Sequence, residues 1–160
     1  MYIWMKEIEF LGLLIGPDGI KMDPIKVEAI MSWPTPTKVK DVQAFLGLAN
    51  FYCHFVCNFS KIAAPLHNLT RKGVVWRWGD TQERTFEELK KKFVEGPVLV
   101  PMDFTHPLRV ESDVSDYATS AILSMLCEDE KWHPCTFLSK GLNDVERNYD
   151  VHDKEMLGII

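Results

Sequence analysis

The chain has 160 residues, 46% of them hydrophobic, and its formal net charge at pH 7 is −5. This length fits one domain or two small ones, and the hydrophobic fraction excludes a chain that is disordered throughout. The negative charge argues against a dedicated nucleic-acid-binding protein, although it leaves room for local basic patches.

Targeting signals are not recognisable in the sequence. No uncharged apolar stretch approaches the length of a membrane span, and Lys6, Glu7 and Glu9 interrupt the apolar N-terminus, so neither a membrane protein nor a signal peptide is predicted. The four cysteines are therefore expected to be reduced thiols in an intracellular protein of the cytoplasm or nucleus, not a secreted one.

The first half is predicted to contain a hairpin followed by helices. Residues 7–22 alternate as two strands would, with a turn at 16–19. Asp23 precedes Pro24 and favours a helix start there, and the prolines at 34 and 36 end that helix near Trp33. Thr37 is the predicted cap of the next helix. Further helices are expected over 60–70 and from Asp80, where Asp80 and Glu83 make a capping-box-like start.

From Val98 onward the hydrophobic period becomes that of β-strands. Strands over 107–113, 117–126 and 132–139 predict an antiparallel meander with turns at 115–116 and 128–130. A last helix is expected to begin near Asn143. Its predicted buried stripe consists of Val145, Tyr149, His152, Met156 and Ile159. A boundary near 96–104 divides an α-rich half from a β-rich half.

Asp113 and Glu155 are the candidate catalytic and metal-binding residues. Hydrolysis of a phosphodiester by two divalent ions needs carboxylates gathered from different elements, because clustered like charges are tolerated only around metal. Asp113 ends the first strand of the meander, and Glu155 lies at the edge of the apolar stripe of the last helix. A helix packed on the sheet would bring them together. Taken singly, each is as easily an ordinary surface acid in a chain with 23 of them.

A series of short motifs runs through almost the whole chain in one order. It includes Phe10-Leu11-Gly12, Trp33-Pro34-Thr35-Pro36, Phe45 to Tyr52, Phe59 to Leu66, Trp78-Gly79, Ser112-Asp113, Phe137 to Lys140 and Glu146 to Tyr149. In this order they resemble the reverse transcriptase/ribonuclease H polyprotein of Ty3/gypsy-type retrotransposons.

The resemblance implies an α+β fold. A small helical thumb/connection region would be followed by a truncated ribonuclease H-like antiparallel meander with one packed helix. Residues 1–22 would form the hairpin at the end of the polymerase palm, 23–95 the thumb/connection region, and 96–160 the truncated ribonuclease H-like domain. The parent protein would synthesise DNA on an RNA template and cleave the RNA of RNA–DNA hybrids with Mg²⁺.

The resemblance leaves the chain's own activity open. In this family four carboxylates hold two metal ions; Asp113 and Glu155 would be two of them, and the other two would lie beyond Ile160. The paired aspartates of the polymerase would lie upstream of Met1, and the chain contains no Asp-Asp dipeptide. The alternative is a non-catalytic retroelement remnant that binds nucleic acid or a protein partner. The expected ligand is an RNA–DNA hybrid or a primer–template duplex, and no membrane partner is expected.

Lys38 and Lys40 are the candidate nucleic-acid contacts. They begin a helix between two predicted domains, where the thumb and connection of this family grip the duplex backbone through charge alone. The run over 90–92 is better explained as a solvated helix surface.

Two further groups of residues are ambiguous in the sequence. Cys53 and Cys57, with Cys127, His133 and Cys135, fit no compact zinc module, and free buried thiols are the better interpretation. The Trp76 and Trp78 pair fits a core better than a base-stacking platform.

The chain also departs from the family at two positions near Asp113. Val114 stands where a small alanine is usual, and Ser120 stands where glycine is usual. Ser120 is expected to crowd the sheet.

Overall fold

The computed structural model describes residues 7–158 and contains two small antiparallel sheets separated by four helices. The first sheet has three strands in chain order, β1 (Ile8–Phe10), β2 (Leu13–Gly16) and β3 (Gly19–Met22). The predicted two-stranded hairpin over 7–22 was wrong in strand number, although its turn at 16–19 is confirmed. An extra turn at Leu11 and Gly12 joins β1 to β2, both residues having positive φ.

Helices α1 (Pro24–Met31), α2 (Val39–Phe51), α3 (Phe59–Leu69) and α4 (Asp80–Val94) form the middle of the chain. A 3₁₀ turn at Cys53–Phe55 lies between α2 and α3. The Asp23 carboxylate accepts a hydrogen bond from the Ile25 backbone N–H at 2.9 Å, which confirms the predicted cap of α1.

Two predicted helix starts were wrong in detail. Lys38, not Thr37, occupies the cap position of α2. The backbone N–H and hydroxyl of Thr37 instead donate to the Asp41 carboxylate at 3.0 and 2.9 Å. At α4 the cap residue is Gly79, and the Gln82 side chain accepts from its N–H at 3.2 Å.

One hydrophobic core unites the helical region. Its largest fully buried side chains are Phe45, Phe86, Ile30, Leu66, Leu89, Val42 and Val56. Phe45 and Phe86 have ring centroids 4.6 Å apart. Aromatic pairs at this distance add specific attraction to the burial of apolar area. Phe137 of the second sheet packs against the same core.

The second sheet consists of β4 (Leu108–Val114), β5 (Ala118–Leu126) and β6 (Trp132–Gly141), as the sequence predicts to within a few residues. The segment at the predicted boundary joins the two halves. Leu99 exchanges two backbone hydrogen bonds with Ile20 of β3, at 2.7 and 2.8 Å, and Val100 donates one to Pro134 of β6 at 3.0 Å.

The prediction for the last helix was wrong in its start and in its buried stripe. A 3₁₀ turn at Glu146–Asn148 comes first, and α5 covers only Val151–Leu157. Tyr149 between them has extended backbone, so helical periodicity does not carry through. Val145, Tyr149, His152 and Met156 are all exposed. Ile159 lies outside the described residues. Within 7–158 no helix is long and apolar enough to cross a membrane.

Candidate metal and nucleic-acid sites

Asp113 lies at the last but one position of β4, and its side chain is exposed. Its partner on β5 is Ser120, whose partner on β6 is Ser139. Residues directly opposite one another on paired strands lie on the same face of a sheet. Ser139 Oγ accepts a hydrogen bond from the Ser60 N–H at 3.0 Å, so this face is the one toward α3. Asp113 therefore belongs to the face of the sheet that the helical region approaches.

The pocket beside Asp113 has a volume of about 240 Å³ and is shared between the sheet and the start of α3. Glu111, Asp113 and Ser120 contribute from the sheet, and Cys57 and Asn58 from the loop before α3. The Ser120 hydroxyl lies 3.4 Å from the Asp113 carbonyl oxygen. β4 and β5 keep their register through this pair, so the expected crowding by Ser120 was wrong.

Glu155 lies in α5, which approaches the other face of the sheet. A Cβ on Gly158 would lie 2.5 Å from Val114 Cγ2 and 3.9 Å from Ser112 Oγ. Because side chains alternate along a strand, Ser112 and Val114 point away from the Asp113 face. Glu155 is exposed, one turn before Gly158 on the same helix.

The described residues do not form a metal centre. Between 7 and 158 no three His, Cys, Asp or Glu side chains are grouped closely enough to hold an ion. Carboxylate oxygens are the donors that Mg²⁺ prefers, so Asp113 and Glu155 have the right chemistry. Asp113, however, lies on the face of the sheet toward the helical region, whereas α5, which carries Glu155, packs on the opposite face. A joint site at Asp113 and Glu155 stays a prediction.

Lys38 and Lys40 are both exposed at the start of α2. Lys38 Nζ lies 3.9 Å from Asp41 Oδ1, a loose ion pair between exposed groups. The hydrogen bonds from Thr37 hold the pKa of Asp41 below its usual value, so this carboxylate stays ionised beside Lys38. Within the described part of the chain, Lys40 makes no ion pair. The helix start therefore offers two exposed lysines, and their contact with a phosphate backbone stays a prediction.

The basic run over 90–92 is not uniformly a solvated surface. Lys90 is buried, with its ammonium group 4.3 Å from the centroid of the Phe86 ring and 3.3 Å from Glu87. This arrangement is a cation–π contact that covers the core. Lys91 is exposed and pairs with Glu95 at 3.7 Å.

The aromatic pair and the cysteines agree with their structural interpretations. Trp76 and Trp78 stack at 5.8 Å, and Trp78 meets Phe86 edge-on at 5.9 Å, so the pair covers the core. All four cysteines are free and partly buried. Burial raises the pKa of the Cys53 and Cys135 thiols.

One group of polar residues was not predicted as a group. Arg71 near the end of α3 and Arg147 in the 3₁₀ turn before α5 line the same cavity. They are far apart in the sequence, so no local charge pattern joins them. Only the fold shows that they converge.

The comparisons with known proteins agree with this architecture. A family model described as "RNase H-like domain found in reverse transcriptase" matches residues 78–160. The chain is 41% identical over 159 residues to the retrovirus-related Pol polyprotein from transposon 297 of Drosophila melanogaster, covering 97% of this chain and 14% of that polyprotein. It is 34% identical over 154 residues to the transposon Tf2-3 polyprotein of Schizosaccharomyces pombe, covering 96% of this chain and 12% of the polyprotein.

Solved structures of foamy viral protease-reverse transcriptase also match nearly the whole chain. The foamy viral protease-reverse transcriptase in complex with RNA/DNA hybrid matches with a TM-score of 0.79 at 26% identity, covering 96% of this chain and 21% of the other. The same kind of protein in complex with dsDNA matches with a TM-score of 0.81 at 25% identity, covering 97% of this chain and 32% of the other. The resemblance to retrotransposon polyproteins is confirmed, and the chain spans a small part of each relative. The chain belongs to the RNase H-like domain family found in reverse transcriptase.

Proposed function

We propose that this chain is the thumb, connection and early ribonuclease H segment of a retrotransposon reverse transcriptase, and that it holds an RNA–DNA hybrid or a primer–template duplex. The observation that carries the proposal is the match over 96% of the chain to a foamy viral reverse transcriptase in complex with RNA/DNA hybrid. The match runs through both the helical region and the second sheet. In the complete polyprotein, the activities served are RNA-templated DNA synthesis and cleavage of RNA in hybrids.

Lys38 and Lys40 are the proposed backbone contacts. A duplex bound through its phosphates needs cations on a rigid element and no groups that read base edges. The start of α2 fits this requirement, because Val42, Phe45 and Leu46 anchor the helix in the core while the two lysines stay in solvent. Binding of this kind has little sequence preference and weakens steeply with salt.

The proposed Mg²⁺ ligands are Asp113 and Glu155. When bound, Mg²⁺ would supply the Lewis acid and the activated water of hybrid cleavage. The described residues do not complete such a site, since no three potential ligands are grouped between 7 and 158. No catalytic step is therefore assigned to this chain alone.

An intracellular location is also part of the proposal. It is supported by the four partly buried cysteines, all of which are free thiols.

Binding is tested by fluorescence anisotropy with a labelled RNA–DNA hybrid between about 50 and 200 mM salt. A double variant, Lys38→Gln with Lys40→Gln, is expected to lower the affinity and to reduce the salt slope by about 1 per lysine. The matched control is Lys91→Gln with Lys92→Gln on α4, which removes the same charge. Equal losses in both double variants would leave only a general charge effect and remove Lys38 and Lys40 from the interface.

Cleavage is tested with the same hybrid in Mg²⁺ and in Mn²⁺, with Asp113→Asn as the control. Absent or very weak cleavage is expected, because two-metal catalysis needs both ions about 4 Å apart and two carboxylates hold one ion loosely at best. Robust cleavage that disappears in Asp113→Asn would show that the chain is an enzyme as it stands. It would also rule out the alternative of a non-catalytic binding module.

A further inference from the structure

A cavity of about 300 Å³ lies between α3 and the loop that follows β6, and neither Lys38 nor Asp113 lines it. His67 and Asn68 line it from the last turn of α3, Arg71 from the segment just after that helix, and Asn143 and Arg147 from the opposite side. The wall is therefore rich in hydrogen-bond donors and cationic groups. None of the functions described above uses it.

The positive charge in this cavity is only half compensated. Arg71 Nη1 and Arg147 Nη1 lie 3.6 and 3.5 Å from the same oxygen, Asp144 Oδ1. Both distances exceed the roughly 2.7–2.9 Å of a tight charge-assisted hydrogen bond. One exposed carboxylate thus faces two guanidinium groups that are always charged. Burial lowers the pKa of His67, so its imidazole adds a neutral ring and no further charge near neutral pH.

Arg147 also carries an unpaired buried donor. Its Nε is the one buried side-chain nitrogen or oxygen, among residues 7–158, without a hydrogen-bond partner. Buried donors are normally paired, so an exception calls for an acceptor. The guanidinium lies 6.0 Å from the Tyr117 ring centroid, and its side chain is about one quarter exposed, at 28%. The donor is thus held in place beside the cavity and lacks an acceptor.

We propose that this cavity binds a phosphate group of a nucleic-acid strand. The inference rests on the proposed function, because it adds a second backbone contact to the duplex held by Lys38 and Lys40. Arginine presents planar N–H donors that match the oxygens of phosphate. Arg71 and Arg147 supply the charge, and the Asn68 side chain, which makes no hydrogen bond within the described chain, supplies a neutral donor. The contact is independent of base sequence.

Asp144 distinguishes a phosphate site from an ion-pair network that only joins α3 to the loop. If the three charged groups serve as a structural link, removing Asp144 loosens the junction and weakens binding. If the cavity receives phosphate, Asp144 competes with the ligand for both arginines, and removing it strengthens binding. The side chain is largely exposed, so its substitution leaves the core untouched.

The test uses the full chain and a labelled RNA–DNA hybrid across a salt series. Arg71→Gln is expected to weaken binding about 3- to 10-fold and to reduce the salt slope by about 1. Asp144→Asn is expected to strengthen binding by a similar factor. The control is Arg109→Gln, because Arg109 lies outside the cavity, pairs with Glu111 at 2.9 Å and stacks on Trp132. Circular dichroism melting checks that each variant folds.

A titration with inorganic phosphate, read from the arginine Nε–Hε signals in NMR, separates this inference from the proposed function. A shift of the Arg147 signal that is lost in Arg71→Gln supports the site even if no duplex binds, an outcome that would contradict the proposed function alone. A silent Arg147 signal, or weaker hybrid binding in Asp144→Asn, would overturn the phosphate site. A response to phosphate without any effect of Arg71→Gln on hybrid binding would overturn the nucleic-acid source.

Discussion

Replacing Gly158 with alanine tests how α5 docks on β4, and hence where Glu155 is held. The new Cβ would lie 2.5 Å from Val114 Cγ2, whereas apolar carbon atoms in contact lie about 3.5–4.0 Å apart. Val114 is β-branched and has few alternative rotamers. The helix must therefore move by about an ångström. Gly158 has φ −74°, so alanine brings no backbone strain of its own.

The expected cost follows from two opposing effects. Overpacking of this kind costs about 1–3 kcal/mol. Alanine gains up to about 1 kcal/mol over glycine inside a helix, and less at the end of one, where Gly158 lies. The net loss in the docking free energy of α5 is therefore about 1–2 kcal/mol. Adding Val114→Ala removes the clashing methyl group, so the double variant should recover most of this loss, and the two substitutions should couple by a similar amount.

Hydrogen exchange of the α5 amides measures this local opening directly. Faster exchange is expected in Gly158→Ala and near-normal exchange in the double variant. The matched control is Gly47→Ala in α2, where a new Cβ meets no atom within 4 Å. There, alanine should stabilise the helix by up to about 1 kcal/mol. Wild-type exchange in Gly158→Ala, or no recovery with Val114→Ala, would refute this packing of α5 on β4.

Three further predictions concern the helical region. Phe86→Ala should lower the free energy of unfolding by about 3–5 kcal/mol, whereas Phe104→Ala, at an exposed position, should change it by less than about 0.5 kcal/mol; urea denaturation compares them. Hydrogen bonds from Thr37 lower the pKa of Asp41 in the folded chain. The ionised Asp41 carboxylate therefore stabilises the fold above its unfolded pKa, and this contribution is lost as the pH falls through the folded pKa. Thr37→Ala removes the hydroxyl hydrogen bond and should raise the pKa of Asp41 in an NMR titration. Burial raises the pKa of Cys53, so mass spectrometry should find it alkylated more slowly than a free cysteine at mildly alkaline pH.

The second sheet was predictable because its signals are local. Runs of β-forming residues are separated by turn residues at 115–116 and 128–130, and the observed strands differ from the predicted ones by only a few residues. The cap of α1 is equally local, since Asp23 and Pro24 are adjacent in the chain. Such features depend on neighbours in sequence and need no knowledge of tertiary packing.

The missed elements depend on conformations that the residues do not signal. A two-residue hairpin loop with positive φ at both positions normally carries Asn-Gly or a similar pair. Here Leu11 has φ 52° beside Gly12 at 75°, and leucine gives no hint of such a turn. At the C-terminal end, extended backbone at Tyr149 interrupts the helical period. A stripe drawn across that break assigned Val145 and Met156 to a core that they do not reach.

The candidate metal site shows most clearly which features the sequence alone does not predict. The sequence places Asp113 at a strand end and Glu155 on a helix, and both placements are confirmed. Which face of the sheet each one approaches depends on how α3 and α5 divide the two faces between them. That division is made by long-range contacts such as Ser60 with Ser139, and Gly158 with Val114. Strand alternation alone cannot supply it, because it fixes only which residues share a face.

The face of Asp113 has a consequence for how the two halves of the chain work together. His54 lies 3.1 Å from the Phe137 carbonyl oxygen, and Ser60 donates to Ser139, so the helical region holds β6 through its backbone and through a side chain of the Asp113 face. Asn58 and Cys57 border the pocket that contains Asp113. A duplex held by the proposed contacts on α2 and beside α3 would therefore be bound by the same part of the chain that borders the Asp113 carboxylate. On the proposed function, such contacts would couple duplex binding to the position of the candidate metal ligand.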